Sequence, residues 1–162
     1  MKKVCLIFAA LLMLLCVSSC SEPGQVRSYQ KEIDEIYVYH SSFGLRYPEY
    51  KLDFVNRTFW MYTSDLWSYV ERDTSAENEG FVFVSDLDEE KIKRFFIESA
   101  RYGFTRWEES YVEENIYDGH QWGVVITYAD GTQQAVRGSN KYPETWDKMV
   151  KEFEDLVGQK IL

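Results

Sequence analysis

The chain carries few side chains that could act as a nucleophile or a general base. All three cysteines lie within the first twenty residues, and the two histidines, His40 and His120, stand far apart. Nucleophilic catalysis needs an activated hydroxyl or thiol beside a base, and the sequence has no Gly-x-Ser-x-Gly elbow. We therefore expect structural roles for the histidines, His40 on a strand face and His120 in a turn beside Gly119. The sequence therefore predicts that the protein is not an enzyme.

Metal and phosphate sites are not predicted either. Transition-metal sites need clusters of His, Cys and carboxylate ligands, which two isolated histidines do not supply. The acidic segment SDLDEE (85–90) lacks the central glycine and the closing glutamate of a calcium loop. No glycine-rich phosphate loop precedes a basic residue. We expect neither a metal ion nor a cofactor.

Aromatic side chains are abundant, with 10 Phe, 12 Tyr and 5 Trp. Each buried ring removes about 150–250 Å² from water, which gives a short chain a workable core. Exposed rings in a groove could instead stack on sugar rings or accept a peptide. The candidates for such ligand contact are Trp60, Trp67, Trp107 and Tyr142, and their alternative role is in the core.

The first twenty residues have the pattern of a secretory signal peptide. Lys2 and Lys3 form a basic start, residues 4–17 are almost purely apolar, and two serines precede Cys20. Because a membrane-spanning helix needs about 20 apolar residues, this run is too short for a permanent span. The sequence therefore predicts a cleaved leader.

The residues Val17-Ser18-Ser19-Cys20 resemble the lipobox of bacterial lipoproteins. The resemblance implies that Cys20 receives a diacylglyceryl group through its sulfur and that cleavage follows Ser19. The alternative is an ordinary signal peptide whose cleavage falls near a cysteine. Cys5 and Cys16 leave with the leader, so a disulfide framework is impossible.

Domain organisation follows from this leader. We expect a lipoprotein signal peptide at 1–19, a lipidated tether at 20–31 and a globular domain at 32–162. Without Lys2 and Lys3 the mature chain has 16 basic and 27 acidic residues, a formal balance of −11. Such a surface repels phosphate backbones, so nucleic acid is not an expected partner.

Local patterns predict strands, a helix, a strand hairpin and a final helix. Apolar residues alternate over 36–40 and 122–128, and Asn56-Arg57 and Asp130-Gly131 are placed as hairpin turns. Asp88 is the expected cap of the first helix and Gly103 its end, and the final helix begins near Pro143. We expect an α+β fold, a single domain in which an antiparallel sheet of about five or six strands carries two helices on one face.

The segment 81–157 resembles small bacterial lipoprotein domains that have no established activity. The features that carry this resemblance are GFTRW (103–107), YDGHQWGVVITYADG (117–131) and GSNKYPETW (138–146). It supports the architecture and implies no reaction.

The function expected is that of a membrane-anchored, extracytoplasmic, non-enzymatic binding domain at a bacterial envelope. Its partners would be the membrane, through the lipid on Cys20, and an envelope protein or small ligand. Ser21 follows the cysteine in place of the aspartate associated with inner-membrane retention, which favours the outer membrane if the cell has one. The alternative is a hydrolase or enzyme inhibitor that acts on envelope polymers, using acid pairs such as Glu108–Glu109 and Glu113–Glu114.

Overall fold

The computed structural model describes residues 31–42, 45–62, 80–116 and 119–162. The predicted leader, Cys20, most of the predicted tether and Trp67 lie outside the described residues. Residues Lys31–Leu162 form one compact unit. No helix in the described ranges is long and apolar enough to cross a membrane.

An eight-stranded sheet and two helices make up the described part of the chain. The strands are β1 (Ile33–Ser42), β2 (Leu45–Arg46), β3 (Glu49–Asp53), β4 (Thr58–Tyr62), β5 (Phe81–Asp86), β6 (Ser110–Val112), β7 (His120–Tyr128) and β8 (Gln133–Ser139). The helices are α1 (Glu89–Arg101) and α2 (Trp146–Val157), with a 3-10 turn at Phe104–Arg106. The strand order is β5-β4-β3-β1-β7-β8-β6, and β2 pairs with the end of β1.

The predicted α+β class is confirmed, but the sheet differs in detail from the antiparallel sheet of five or six strands. It has more strands, and it is mixed because β6 runs parallel to β8. β6 comes from the acidic segment around Tyr111 and is only three residues long, which is too short for an alternation pattern to reveal.

One face of the sheet and both helices share a single core. On the central strands β1 and β7 the buried residues alternate along the sequence, as in Ile36 and Val38 or Trp122 and Val124. Side chains from α1 and α2, including Phe95 and Phe153, join the same buried cluster. The helices therefore cover the face of the sheet on which these strand residues lie.

Both predicted hairpins are present. Arg57 takes a left-handed φ of 56° in the β3–β4 turn, where Asn56 donates from its backbone N–H to Asp53 over 2.8 Å. Gly131 takes a φ of 78° between β7 and β8. The final helix begins at Trp146, three residues after the predicted start at Pro143, and ends at Val157, with Gly158 as its left-handed C-cap.

Helix α1 begins as its sequence predicts. The carboxylate of Asp88 accepts a hydrogen bond from the backbone N–H of Lys91 over 3.0 Å, and Glu89 and Glu90 occupy the first turn. The cap satisfies a backbone N–H that has no partner within the helix. Leu87, just before the cap, is buried.

Removing this cap is expected to weaken the domain moderately. The change Asp88→Ala should lower the free energy of unfolding by about 1 kcal/mol, because the N–H of Lys91 loses its acceptor. The exposed neighbour Asp86 supplies a matched control, and Asp86→Ala should change stability by less than about 0.5 kcal/mol. Urea unfolding followed by circular dichroism measures both. Equal losses in the two variants would contradict the assigned cap.

Candidate functional site

The two histidines meet at one end of the pair formed by β1 and β7. In the antiparallel register, His40 lies opposite Trp122 and Ser42 lies opposite His120, so the histidines are diagonal neighbours on the helix-covered face. Nδ1 of His40 is 3.2 Å from Nε2 of His120. The expectation that the histidines are isolated is therefore wrong. His120 is the first residue of β7 rather than part of a turn.

Two tyrosines flank this pair. The ring of Tyr47 stacks on the imidazole of His40, with centroids 4.4 Å apart and planes inclined by 15°. The hydroxyl of Tyr142 lies 2.9 Å from Nδ1 of His120. Tyr47 is 40% exposed and Tyr142 is 38% exposed, so both rings reach the surface. We call His40, Tyr47, His120 and Tyr142 the histidine–tyrosine cluster.

The buried indole of Trp122 packs against the cluster. The ring of Tyr142 stacks on it almost in parallel, with centroids 5.9 Å apart. Trp122 is 1% exposed, and its Nε1 donates to the carbonyl oxygen of Lys141 over 2.9 Å. A Cβ atom on Gly138 would lie 2.1 Å from the indole, so the absence of a side chain there makes room for it. The floor of the cluster is therefore fixed by packing and by a hydrogen bond.

Asn140 holds the backbone of His120 in place. Its side-chain Oδ1 accepts from the N–H of His120 over 2.8 Å, and its own N–H donates to the carbonyl oxygen of His120 over 2.9 Å. Asn140 takes a left-handed φ of 54°, which asparagine tolerates better than most residues. Both backbone groups of His120 are thereby satisfied, and its imidazole is oriented toward His40.

The imidazoles of the cluster favour their neutral forms. Burial, together with the nearby His120, lowers the pKa of His40 to about 4. Burial also lowers the pKa of His120. A neutral imidazole has one N–H donor and one acceptor nitrogen. The chain from Tyr142 through His120 to His40 can therefore hold its protons in more than one arrangement.

Two other predicted contact residues, Trp60 and Trp107, lie away from the cluster. Trp107 is 8% exposed, and its Nε1 donates to Thr145 Oγ1 over 3.0 Å, so it packs within the core. Trp60 follows buried Phe59 on β4 and thus points to the opposite face, where its ring lies 5.5 Å from that of Phe83. Of the predicted contact residues in the described ranges, only Tyr142 joins the cluster.

A cleft lies between the two helices, away from the cluster. It has a volume of about 260 Å³ and is lined by Lys91, Arg94, Glu152, Asp155 and Leu156. The guanidinium of Arg94 pairs with the carboxylate of Asp155 and lies 3.4 Å from that of Glu152. These opposite charges pair with one another, so the side chains that line the cleft form ion pairs between α1 and α2.

Across the described ranges, no three His, Cys, Asp or Glu side chains form a group that could hold a metal ion. No protein-family model and no curated protein matches the chain. The chemistry of the site therefore follows from the cluster itself, in which two partly exposed tyrosine rings flank a pair of imidazoles within hydrogen-bond distance of each other.

Proposed function

We propose that this chain is a lipid-anchored, extracytoplasmic protein of a bacterial envelope whose domain binds a ligand without transforming it. The lipobox-like residues before Cys20 support the anchor. The histidine–tyrosine cluster supports the binding role. The ligand proposed is a small saccharide unit of an envelope polymer, in contact with Tyr47 and Tyr142.

The observation that carries this function is the pairing of exposed rings with hydrogen-bonding nitrogens. Tyr47 and Tyr142 are partly exposed aromatic rings, and His40 and His120 lie between them. Binding sites commonly combine apolar or aromatic walls with a few fixed polar groups. A sugar ring presents C–H groups on its face and hydroxyls on its edge, and both match such a surface.

The negative net charge of the protein indicates which saccharides it would bind. The mature chain has a formal balance of −11, and a protein of that charge repels polyanions at moderate ionic strength. Uncharged or amino-bearing saccharides are therefore better ligands than phosphorylated ones. The histidine–tyrosine cluster does not support the hydrolase alternative, because its four residues include no carboxylate for glycoside hydrolysis.

Replacing both tyrosines is expected to weaken saccharide binding about tenfold or more. Each lost ring is expected to cost about 0.5–1.5 kcal/mol, the range known for pairs of aromatic rings, and about 1.4 kcal/mol corresponds to a factor of ten. The full chain, purified in detergent, is titrated with soluble oligosaccharides released from bacterial envelopes. Binding is followed by isothermal titration calorimetry in the wild type and in the double variant Tyr47→Ala/Tyr142→Ala.

Phe83→Ala is the matched control, because Phe83 is also an exposed ring but belongs to the edge strand β5. It should bind the same oligosaccharide as tightly as the wild type. Circular dichroism verifies that all variants are folded. A wild-type chain that binds no member of the panel, or a double variant that binds as well as the wild type, would contradict the proposed function.

A further inference from the structure

We propose that His40 and His120 together chelate a divalent transition-metal ion, through Nδ1 of His40 and Nε2 of His120. This is a ligand class beyond the proposed saccharide, and metal binding here does not require that the saccharide binds. The inference starts from the meeting of two imidazoles whose positions are eighty residues apart in the sequence.

The separation of the two nitrogens suits a shared ion. Nδ1 of His40 and Nε2 of His120 are 3.2 Å apart. Imidazole nitrogens bind Zn²⁺ at about 2.0–2.1 Å, and two such ligands of a tetrahedral ion are about 3.3 Å from each other. The separation therefore matches that of two ligands of one ion, and the imidazoles must turn so that both lone pairs point to the ion rather than to each other.

The proton arrangement needed for chelation is available. Both facing nitrogens must be free of hydrogen, so His40 carries its proton on Nε2 and His120 carries its proton on Nδ1. The hydroxyl of Tyr142, 2.9 Å from Nδ1 of His120, can accept that N–H because a phenolic oxygen both donates and accepts. One ring of a hydrogen-bonded pair carries a proton on its facing nitrogen, so conversion into a chelating pair requires that ring to move this proton to its other nitrogen by exchange with water.

Tyr142 and Tyr47 have the roles of positioning residues. Metal-bound histidines usually donate their second N–H to a fixed oxygen, which sets the tautomer and the ring orientation. Tyr142 provides that oxygen for His120, and the stacked ring of Tyr47 holds the plane of His40. The backbone of His120 is already fixed by Asn140.

The ion would be held by two protein ligands. No group of three metal-ligating side chains occurs in the described ranges, so water or an outside ligand fills the remaining positions. Imidazole selects Cu²⁺, Ni²⁺ and Zn²⁺ over Ca²⁺ and Mg²⁺, which prefer oxygen ligands. Among the divalent ions, Cu²⁺ is expected to bind most tightly.

The test uses the untagged, metal-free full chain and Cu²⁺. Because the whole chain contains two histidines, two imidazoles bound to one copper ion must be His40 and His120. Pulsed electron paramagnetic resonance counts the imidazoles in the wild type, and labelling with ¹⁵N-histidine verifies the count without a substitution. The expected result is one Cu²⁺ per chain with two imidazole ligands, and no competition from a large excess of Ca²⁺ or Mg²⁺.

Substitutions give the second measurement. His40→Gln and His120→Gln should each weaken Cu²⁺ binding at least tenfold in calorimetric titration, while Phe83→Ala leaves it unchanged. Copper bound through one imidazole or none, or binding that Ca²⁺ abolishes, would overturn the metal site. Because the readout is the metal alone, this failure is distinguishable from a failure to bind saccharide.

Discussion

The change Trp122→Ala is expected to lower the free energy of unfolding by about 3–5 kcal/mol, the usual cost of removing a large buried aromatic side chain. Trp122 is almost fully buried on the central strand β7, and its ring contacts those of Tyr142 and Trp146. Alanine would leave a cavity and remove the donor to the carbonyl oxygen of Lys141. Since domains are stable by about 5–15 kcal/mol, this is a large fraction of the total.

Urea or thermal unfolding followed by circular dichroism measures the loss. Ile97→Ala is the control, because Ile97 is 66% exposed on α1 and should change stability by less than about 0.5 kcal/mol. Trp122→Phe, which keeps a ring but loses the indole N–H, should fall between the two. An alanine variant as stable as the control would show that the indole does not support the core as described.

Replacing Cys20 by Ser is expected to abolish incorporation of fatty acid into the protein. A serine hydroxyl cannot form the thioether that the lipobox resemblance implies for Cys20. One myristoyl chain binds a membrane only marginally, with a constant of about 10⁴ M⁻¹, whereas two chains anchor a protein stably. Loss of the acyl groups therefore removes the proposed attachment of the mature chain altogether.

Metabolic labelling with an alkyne-bearing fatty acid measures this directly in cells. The control is Cys16→Ser, since Cys16 lies in the predicted leader and should leave the label unchanged. Intact-mass analysis of the wild type should give a chain that begins at residue 20 and carries acyl groups. Label that persists in the Cys20→Ser protein, or its absence from the wild type, would refute the anchor.

Local features of the fold were predictable because they depend on neighbouring residues. The cap at Asp88, the left-handed residue Gly103 after the first helix and the turn at Gly131 all follow from short-range chemistry. The strand order was harder to predict from the sequence. The parallel pairing of β6 with β8 joins segments whose residues give no periodic signal, so it depends on contacts made only in the folded chain.

The site was only partly predictable for the same reason. Tyr142 was a candidate from its residue type, but the meeting of His40 with His120 requires the register of β1 on β7. One signal was present in the sequence. His40 continues the alternation of Ile36 and Val38, and His120 precedes Trp122 and Val124 at the same spacing, so each histidine extends the buried face of its strand.

The central position of β1 determines at what stage of synthesis the two histidines can meet. β1 is the first strand in the part of the chain that the structure describes, yet it lies between β3 and β7 in the middle of the sheet. During synthesis β1 is made well before β7, because His40 lies 80 residues ahead of the histidine that it contacts. A chain that ends before residue 120 would therefore lack the contact between His40 and His120.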